Sequence, residues 1–528
     1  MTNVLQTSAV WRLLQAIGAF IASTAADSAV VSALVRAWDG CFLHRLFRAV
    51  GDSEEPALHA SRFERMLRRA DVWLSERTGL RDCVSESVPG RFVRWLLRVC
   101  SDSKTLAWLT RDGLTGAVLT VLALYAGVDW LLRDVLPVPV LSSGWDEALL
   151  AFSALLVLWQ RTGTRTPRIS RTTSLDICVL LYVLVAFALM VLVSPRIGIA
   201  VSGYRAACQY VLWFFVVTRL IRHDGDFRRM YLTMLALAGA IALHGVYQYI
   251  IAVPIPEHWV AQAEQSVRTR VFSIFGSPNI MACFMVMFAP MAAGLAYTGR
   301  GRKMKLLGWG LAVLMCVSCL FTMSRGGWMA MLVAIVVFAI LVDGRLLLLL
   351  LAAGVFSLAL PFVASRIGFL FTSDFTHANE NGGRESRWKL GMSYLRLFGN
   401  EWFGMGFGRF GGAVAMQNQI HSYLSYFYMD NYYLKTLTES GYLGLGAFIV
   451  SLLGVVVNGM RSLWRAFGTK ADGFYAMLSG IFAGLCGTLV HCYFENIFEE
   501  PYMLATFWIL AAMLVYGGLY RSKERKAE

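Results

Sequence analysis

Residues 174–193 read SLDICVLLYVLVAFALMVLV, with a single charge, Asp176. A helix rises about 1.5 Å per residue and the bilayer core is about 30 Å thick, so a run of this length and polarity reads as a membrane span. Similar runs lie near 114–136, 145–161, 198–221, 229–251, 279–297, 305–323, 326–342, 345–363, 437–458, 474–494 and 503–520. The first is interrupted by Asp129 and Arg133, and the second is short. In hydrocarbon every backbone group needs an internal partner, so the expectation is an all-α, polytopic membrane protein with about twelve transmembrane helices. The composition of the 528-residue chain agrees: 57% is hydrophobic and 16% charged, where a soluble domain carries about 25% charge. A soluble enzyme, a nucleic-acid-binding module, a disordered chain and a disulfide scaffold are excluded. Cys316 and Cys319 form a C-x-x-C inside an apolar run, where they read as small packing residues.

The net charge of +14 then needs a place. Alternate loops carry Arg165, Arg168 and Arg171; Arg222, Arg228 and Arg229; Arg300, Arg302, Lys303 and Lys305; Arg345; and Arg461, Arg465 and Lys470. The opposite loops at 137–144 and 495–502 carry none. The positive-inside rule therefore places both termini in the cytoplasm. Residues 1–112 are basic, with Arg62, Arg65, Arg68 and Arg69 beside Phe63, Leu67, Trp73 and Leu74, and read as cytoplasmic amphipathic helices or a small helical domain with a basic face. Helices one to nine are expected over 113–363, a long external loop with short helices of its own over 364–436, helices ten to twelve over 437–520, and a basic tail over 521–528.

Three external segments break the charge rule. They hold Arg268 and Arg270; Arg325; and, in the long loop, Arg366, Arg384, Arg387, Lys389, Arg396, Arg409 and Lys435. Cations on this side oppose insertion bias, so they point to a task other than orientation.

Arg325 stands in Thr322-Met323-Ser324-Arg325-Gly326-Gly327, where Ser324 suits a helix N-cap and the glycines allow close backbone approach to a ligand. Arg270 precedes Ser277-Pro278-Asn279, a helix start with Ser as cap and Pro at the first position. Helix N-termini attract anions, and guanidinium groups fork onto phosphate oxygens. The third motif is Asp430-Asn431-Tyr432-Tyr433-Leu434-Lys435, followed by Glu439-Ser440-Gly441-Tyr442-Leu443-Gly444. Asp430 reads either as a helix cap or as a carboxylate able to take a hydroxyl proton. Gly441 and Gly444 permit close helix packing. Asp129, His244, Gln248, Glu439, His491, Glu495 and Asn496 are polar groups in or beside spans. Glu439 and Glu495 read as site-lining, and His244 and His491 as partners in interhelical hydrogen bonds.

These motifs, in this order, resemble the O-antigen ligase and polymerase superfamily over roughly residues 200–460. The family ligase motif is His, then Asn, Ser or Gln, then nine residues, then Gly-x-x-Gly/Thr/Tyr. Asn431, residues 432–440 and Gly441-Tyr442-Leu443-Gly444 fit that spacing, while Asp430 stands where the family has His. An Asp, with a reference pKa near 3.9, is a weaker base than His unless burial raises it. Asp430 therefore acts as the base or only orients the acceptor; His421 is a nearby substitute. Arg384-Glu385-Ser386-Arg387-Trp388 and Gly404-x-Gly406-x-Gly408 also resemble family segments. Trp388, Tyr394, Trp402 and Phe403 read as a sugar-stacking surface or as loop packing.

The resemblance implies a glycosyltransferase of the bacterial inner membrane, acting at its external face. It would move a glycan from a polyprenyl diphosphate carrier to an acceptor hydroxyl on a glycan, lipid or protein. Arg270, Arg325 and Asp430 are the expected catalytic residues; Arg268, Asn279, Ser324, Arg384, Arg387, Asn431 and Glu439 the expected substrate-binding ones. A single in-line displacement implies inversion. No acidic pair of the DxD type appears in an external loop, so neither metal nor cofactor is expected. Alternatives are a polymerase extending a lipid-linked surface polysaccharide and, in another class, a lipid-glycan or small-solute transporter, for which repeated halves with broken helices would be the signature.

Overall fold

A computed structural model describes residues 111–136, 139–161, 172–194, 196–256, 269–298, 301–368, 383–419, 427–467 and 473–521, with scattered positions between 49 and 99. Residues 1–54 and 55–528 separate into two units, and the second contains every helix from Arg111 onward. Most of the 1–112 region lies outside the described residues, as do Arg268, His421 and the tail beyond Arg521.

All regular elements among the described residues are helices. Nine of them are long and apolar enough to cross a membrane: Ser174–Val193, Ile197–Leu220, Asp224–Ile250, Pro278–Ala296, Arg302–Phe321, Arg325–Val342, Tyr432–Ala466, Phe474–Phe494 and Pro501–Tyr520. A tenth span results if Gly113–Ala123 and Tyr125–Val135, bent by 76° where they meet, are taken together. The remaining two expected runs also form helices, but of another kind. Pro139–Arg161 carries Asp146 and Glu147, and Asp146 accepts a hydrogen bond from Tyr210 Oη at 2.7 Å. Arg345–Leu358 has 14 residues, too few for a straight span. The charges at 129 and 133 have a partner cluster of their own, for Arg133 Nε donates to Asp129 Oδ1 at 2.7 Å and Trp145 Nε1 to the same oxygen at 3.0 Å.

Pro278–Ala296 and Pro501–Tyr520 are almost wholly buried and form the centre. The former packs against Asp224–Ile250, Arg302–Phe321, Arg325–Val342 and Phe474–Phe494. Apolar side chains gain little from meeting each other in lipid, so close approach and dispersion must hold such helices together. Gly480 and Gly484 supply that approach: a Cβ on Gly484 would stand 2.2 Å from the Met287 carbonyl oxygen, and one on Gly480 2.6 Å from that of Pro290.

Contacts sort the helix ends into two sets. At one end Asp176 pairs with Arg219 at 3.0 Å, Asp224 with Arg521 at 2.8 Å, and Tyr297 Oη donates to Asp343 at 3.2 Å. Asp176 also closes a capping box with Thr173, which fixes the start of the 174–193 helix. The other end gathers the 269–277 segment, the 322–324 turn, the 383–419 and 427–431 segments and the 495–500 turn. The 383–419 segment contains helices Arg384–Phe398 and Ala413–Asn418.

The glycine contact predicts a packing-specific defect. Gly484→Leu forces overpacking worth about 1–3 kcal/mol or more and lowers the melting temperature of the detergent-solubilised protein. Gly446→Leu, at a position with open space around its Cβ, leaves it unchanged.

Candidate functional site

The second end of the bundle is built around Arg270. Its Nε donates to the Thr322 carbonyl at 3.1 Å, and Val271 N donates to that of Phe321 at 3.2 Å. Both carbonyls end the Arg302–Phe321 helix and have no helical partner, so this segment satisfies them. His244 and Gln248 hold the segment from behind. The Gln248 Oε1 accepts from Ser273 N at 2.7 Å and Phe272 N at 3.1 Å, and His244 Nδ1 lies 2.9 Å from Ser273 Oγ. The expected interhelical partner of His244 is thus a loop, and Ser273, at φ 51°, is held in a strained backbone by these bonds.

Arg270 also reaches forward. Its Nη2 donates to Asn279 Oδ1 at 3.3 Å, and Asn279 Nδ2 donates to Glu495 Oε2. Pro278 opens the helix as expected, with Ser277 in an extended cap position whose side chain makes no cap bond. Ser324 does cap: its Oγ accepts from Gly327 N at 3.2 Å, and Arg325 begins the next helix. Gly326 and Gly327 serve packing, since Cβ atoms there would lie 2.8 Å from Phe494 and 2.5 Å from Ala282.

Arg384 and Arg387 stand in the first turn of the Arg384–Phe398 helix and converge on Asp430. Arg387 Nη1 donates to Asp430 Oδ1 at 3.1 Å, its Nη2 lies 2.5 Å from Oδ2, and Arg384 Nε lies 3.4 Å from Oδ2. Asp430 does not cap the helix that follows; Asn431 does, its Oδ1 accepting from Leu434 N at 3.0 Å. The helix consequently starts at Tyr432, earlier than the apolar run suggests.

Arg384 lies within electrostatic reach of Arg270, Arg325, His491 and Glu495. Burial pushes the Arg270 guanidinium down to about 10; Glu495 opposes this and Arg325 and Arg384 add to it, so Arg270 stays cationic at neutral pH. Burial pushes the Glu495 carboxyl above the ordinary carboxylate range, Asp430 adds to this, and Arg384 with the bonds from Asn496 and Asn279 opposes it. Arg270, Arg325, Arg384, Arg387, Asn279 and Asp430 are thus brought together, and all are half-buried rather than sealed.

Glu439 is placed elsewhere. At 3% exposure it pairs with Lys435 at 3.2 Å and accepts from Phe410 N at 3.3 Å. Lys435 also pairs with Glu499 at 2.8 Å, and Glu499 accepts from Ala413 N at 2.7 Å. This sealed group ties helix, loop and the 495–500 turn together and leaves Glu439 no open face. The aromatic residues do not form one surface either: Trp388 packs on Tyr493, Trp402 on Tyr442, and Tyr394 belongs to a small buried core with Leu395, Met405, Phe410 and Met429.

The spacing of the third motif has a backbone cause. Gly441 adopts φ 64° and ψ −170°, which breaks the long helix after residues 432–440. The freed groups are taken up by the glycine-rich loop. Met405 N and Gly406 N donate to the carbonyls of Thr438 and Glu439, each at 2.9 Å; Tyr442 N and Leu443 N donate to those of Glu401 and Trp402 at 2.8 and 3.1 Å. A Cβ on Gly441 would lie 2.4 Å from Trp402 backbone, so only glycine fits. The segment from Asn431 to Gly441 is a rigid rod of fixed length, with its cap beside Asp430 and its end locked to the loop.

An apolar groove of about 350 Å³ begins at Arg325 and is lined by Cys319, Trp328, Leu332, Leu350 and Ile367 among others. A second, of about 290 Å³, shares Cys316, Leu320, Ile335, Leu350 and Ala353 with it and extends to Trp309 and Leu346. Together they run between the Arg302–Phe321, Arg325–Val342 and Arg345–Leu358 helices. Sequence reading missed this groove and the Asn279–Glu495 link; the one visible signal was the C-x-x-C, whose small residues line the groove.

The sealed ion group yields a stability test. Lys435→Met strands two buried carboxylates and costs about 3–5 kcal/mol, read as a lower melting temperature; adding Glu439→Gln and Glu499→Gln recovers part of the loss.

Residues 310–449 match the O-antigen ligase family model. The matched stretch contains Arg325, Arg384, Arg387, Asp430, Asn431 and Gly441, and supports the O-antigen ligase and polymerase superfamily. No curated protein matches the chain.

Proposed function

We propose that this chain, with its O-antigen ligase domain, moves a glycan from a polyprenyl diphosphate carrier to an acceptor hydroxyl at the external face of the bacterial inner membrane. The observation that supports the reading most is the convergence of Arg270, Arg325 and Arg384 from three separate segments. Like charges gathered in a half-buried place are strongly favoured partners for a diphosphate, whose charge grows as it leaves. The groove that starts at Arg325 offers the carrier's hydrocarbon a place in line with its headgroup. Both features belong to one substrate that is part anion and part lipid.

In this reading Arg270 and Arg325 stabilise the departing diphosphate. Asp430, clasped by Arg384 and Arg387, aligns those two guanidiniums with it. Asn279 holds Arg270 in place, and Ser324 and Asn431 fix the helix starts from which Arg325 and the motif rod project. The displacement is in line, so the anomeric configuration inverts, and the residues supply the charge stabilisation without calling on a metal. Transfer to a foreign acceptor makes the protein a ligase; transfer to a second lipid-linked glycan makes it a polymerase. The charge distribution in the loops favours cytoplasmic termini with this end outside.

Two outcomes check the reading in proteoliposomes with a labelled polyprenyl diphosphate glycan and candidate acceptors. Arg325→Ala abolishes release of polyprenyl diphosphate while the protein keeps its melting temperature; undiminished release removes Arg325 from the reaction. Ala353→Trp, which fills the groove, raises KM for a long-chain polyprenyl donor and spares a short-chain one.

A further inference from the structure

Asp430 and Glu495 are both carboxylates within reach of the arginine group, but their surroundings differ in kind. Both oxygens of Asp430 are held by cationic donors: Arg387 bridges them at 3.1 and 2.5 Å, and Arg384 approaches Oδ2 at 3.4 Å. A carboxylate clasped by two guanidiniums already has both oxygens engaged as charge-assisted acceptors. Among the described residues Glu495 is hydrogen-bonded by neutral groups alone, Oε2 by the Asn279 amide and Oε1 by Asn496 N at 3.2 Å. It is half-buried and shares Asn279 with Arg270. His491, one turn earlier, is 1% exposed with Nδ1 unpartnered, and packs against Gly326, so it has no path to an acceptor.

We infer that Glu495 is the residue that accepts the acceptor hydroxyl's proton, an assignment that rests on the glycosyl-transfer reading. The hydroxyl oxygen forms its bond to the anomeric carbon with a lone pair while its proton passes to the Glu495 carboxylate. The bond from the anomeric carbon to the diphosphate oxygen breaks with both electrons leaving on the diphosphate, beside Arg270 and Arg325. Glu495 then returns the proton to water. The Asn279 side chain links the two halves of the step, since it touches the base with its amide nitrogen and Arg270 with its oxygen. The motif position where the family has His is occupied here by a residue already committed to two arginines, whereas Glu495 is held by the amides of Asn279 and Asn496.

The groups facing Glu495 are Arg270 and Asn279, Cys283 on the central helix, Arg384, Asp430, and His491 on its own helix. Burial and Asp430 raise its carboxyl, and the Asn279 bond lowers it. The base works only when deprotonated, so activity falls as pH drops through this raised value. Removing the Asn279 amide raises it further and moves the acidic limb to higher pH.

The test uses the full chain in proteoliposomes with a labelled polyprenyl diphosphate glycan and an accepted acceptor. Glu495→Gln is expected to lower kcat by about 10²–10⁴-fold with donor KM unchanged. Asn279→Ala is expected to move the acidic limb of kcat/KM to higher pH, and Glu495→Asp to shift that limb while retaining part of kcat. Wild-type kcat in Glu495→Gln, or a limb that moves in neither other variant, overturns the assignment; the limb shifts remain readable if the Gln variant does not fold. A wild-type protein that releases no polyprenyl diphosphate with any acceptor instead overturns the glycosyl-transfer reading itself.

Discussion

The guanidiniums of Arg270, Arg325 and Arg384 repel one another across a half-buried space, and the surrounding structure is arranged to hold them there. Each is anchored to a rigid element. Arg270 is tied to the end of the Arg302–Phe321 helix, Arg325 opens the next helix behind a serine cap, and Arg384 sits in the first turn of a third. Repulsion between fixed charges of one sign, in a half-buried place, is a standing demand for an anion. Asp430 and Glu495 answer it in part.

Holding these parts in register falls to the broken helix. A continuous helix through residue 441 would leave the 400–408 loop with nowhere to dock. The break at Gly441 exposes two carbonyls and two amides, and the loop's backbone takes all of them. The sealed Lys435–Glu439–Glu499 group then locks the same half-helix to the turn that carries Glu495. Positions far apart in the chain are thereby fixed to one another through backbone bonds and one buried ion group, which neither lipid nor solvent can readily replace.

Much of this was legible in the sequence. Apolar runs such as 174–193 fixed helices directly, because length and polarity alone decide what crosses a bilayer. Basic residues that broke the expected alternation of charge singled out Arg270, Arg325, Arg384 and Arg387, and the structure brings them together. Less legible was anything set by packing between distant segments. Asn279 and Glu495 meet across 216 positions, which no local pattern reveals. Glu439 looked like a site residue because a carboxylate in a span usually is; Lys435, one turn earlier, seals it away. The motif spacing was visible, but its cause, a rod ending at a positive-φ glycine, needed the backbone.

The proposed function stands on the arginine group holding a diphosphate on a lipid. Its most direct measurement is equilibrium binding of polyprenyl diphosphate, polyprenyl monophosphate and polyprenol to the purified protein, with and without Arg270→Ala and Arg325→Ala. Affinity is expected to fall in that order, and each substitution to weaken diphosphate binding while leaving polyprenol binding as it was. Equal affinity for diphosphate and polyprenol, or diphosphate binding untouched by both substitutions, would contradict it.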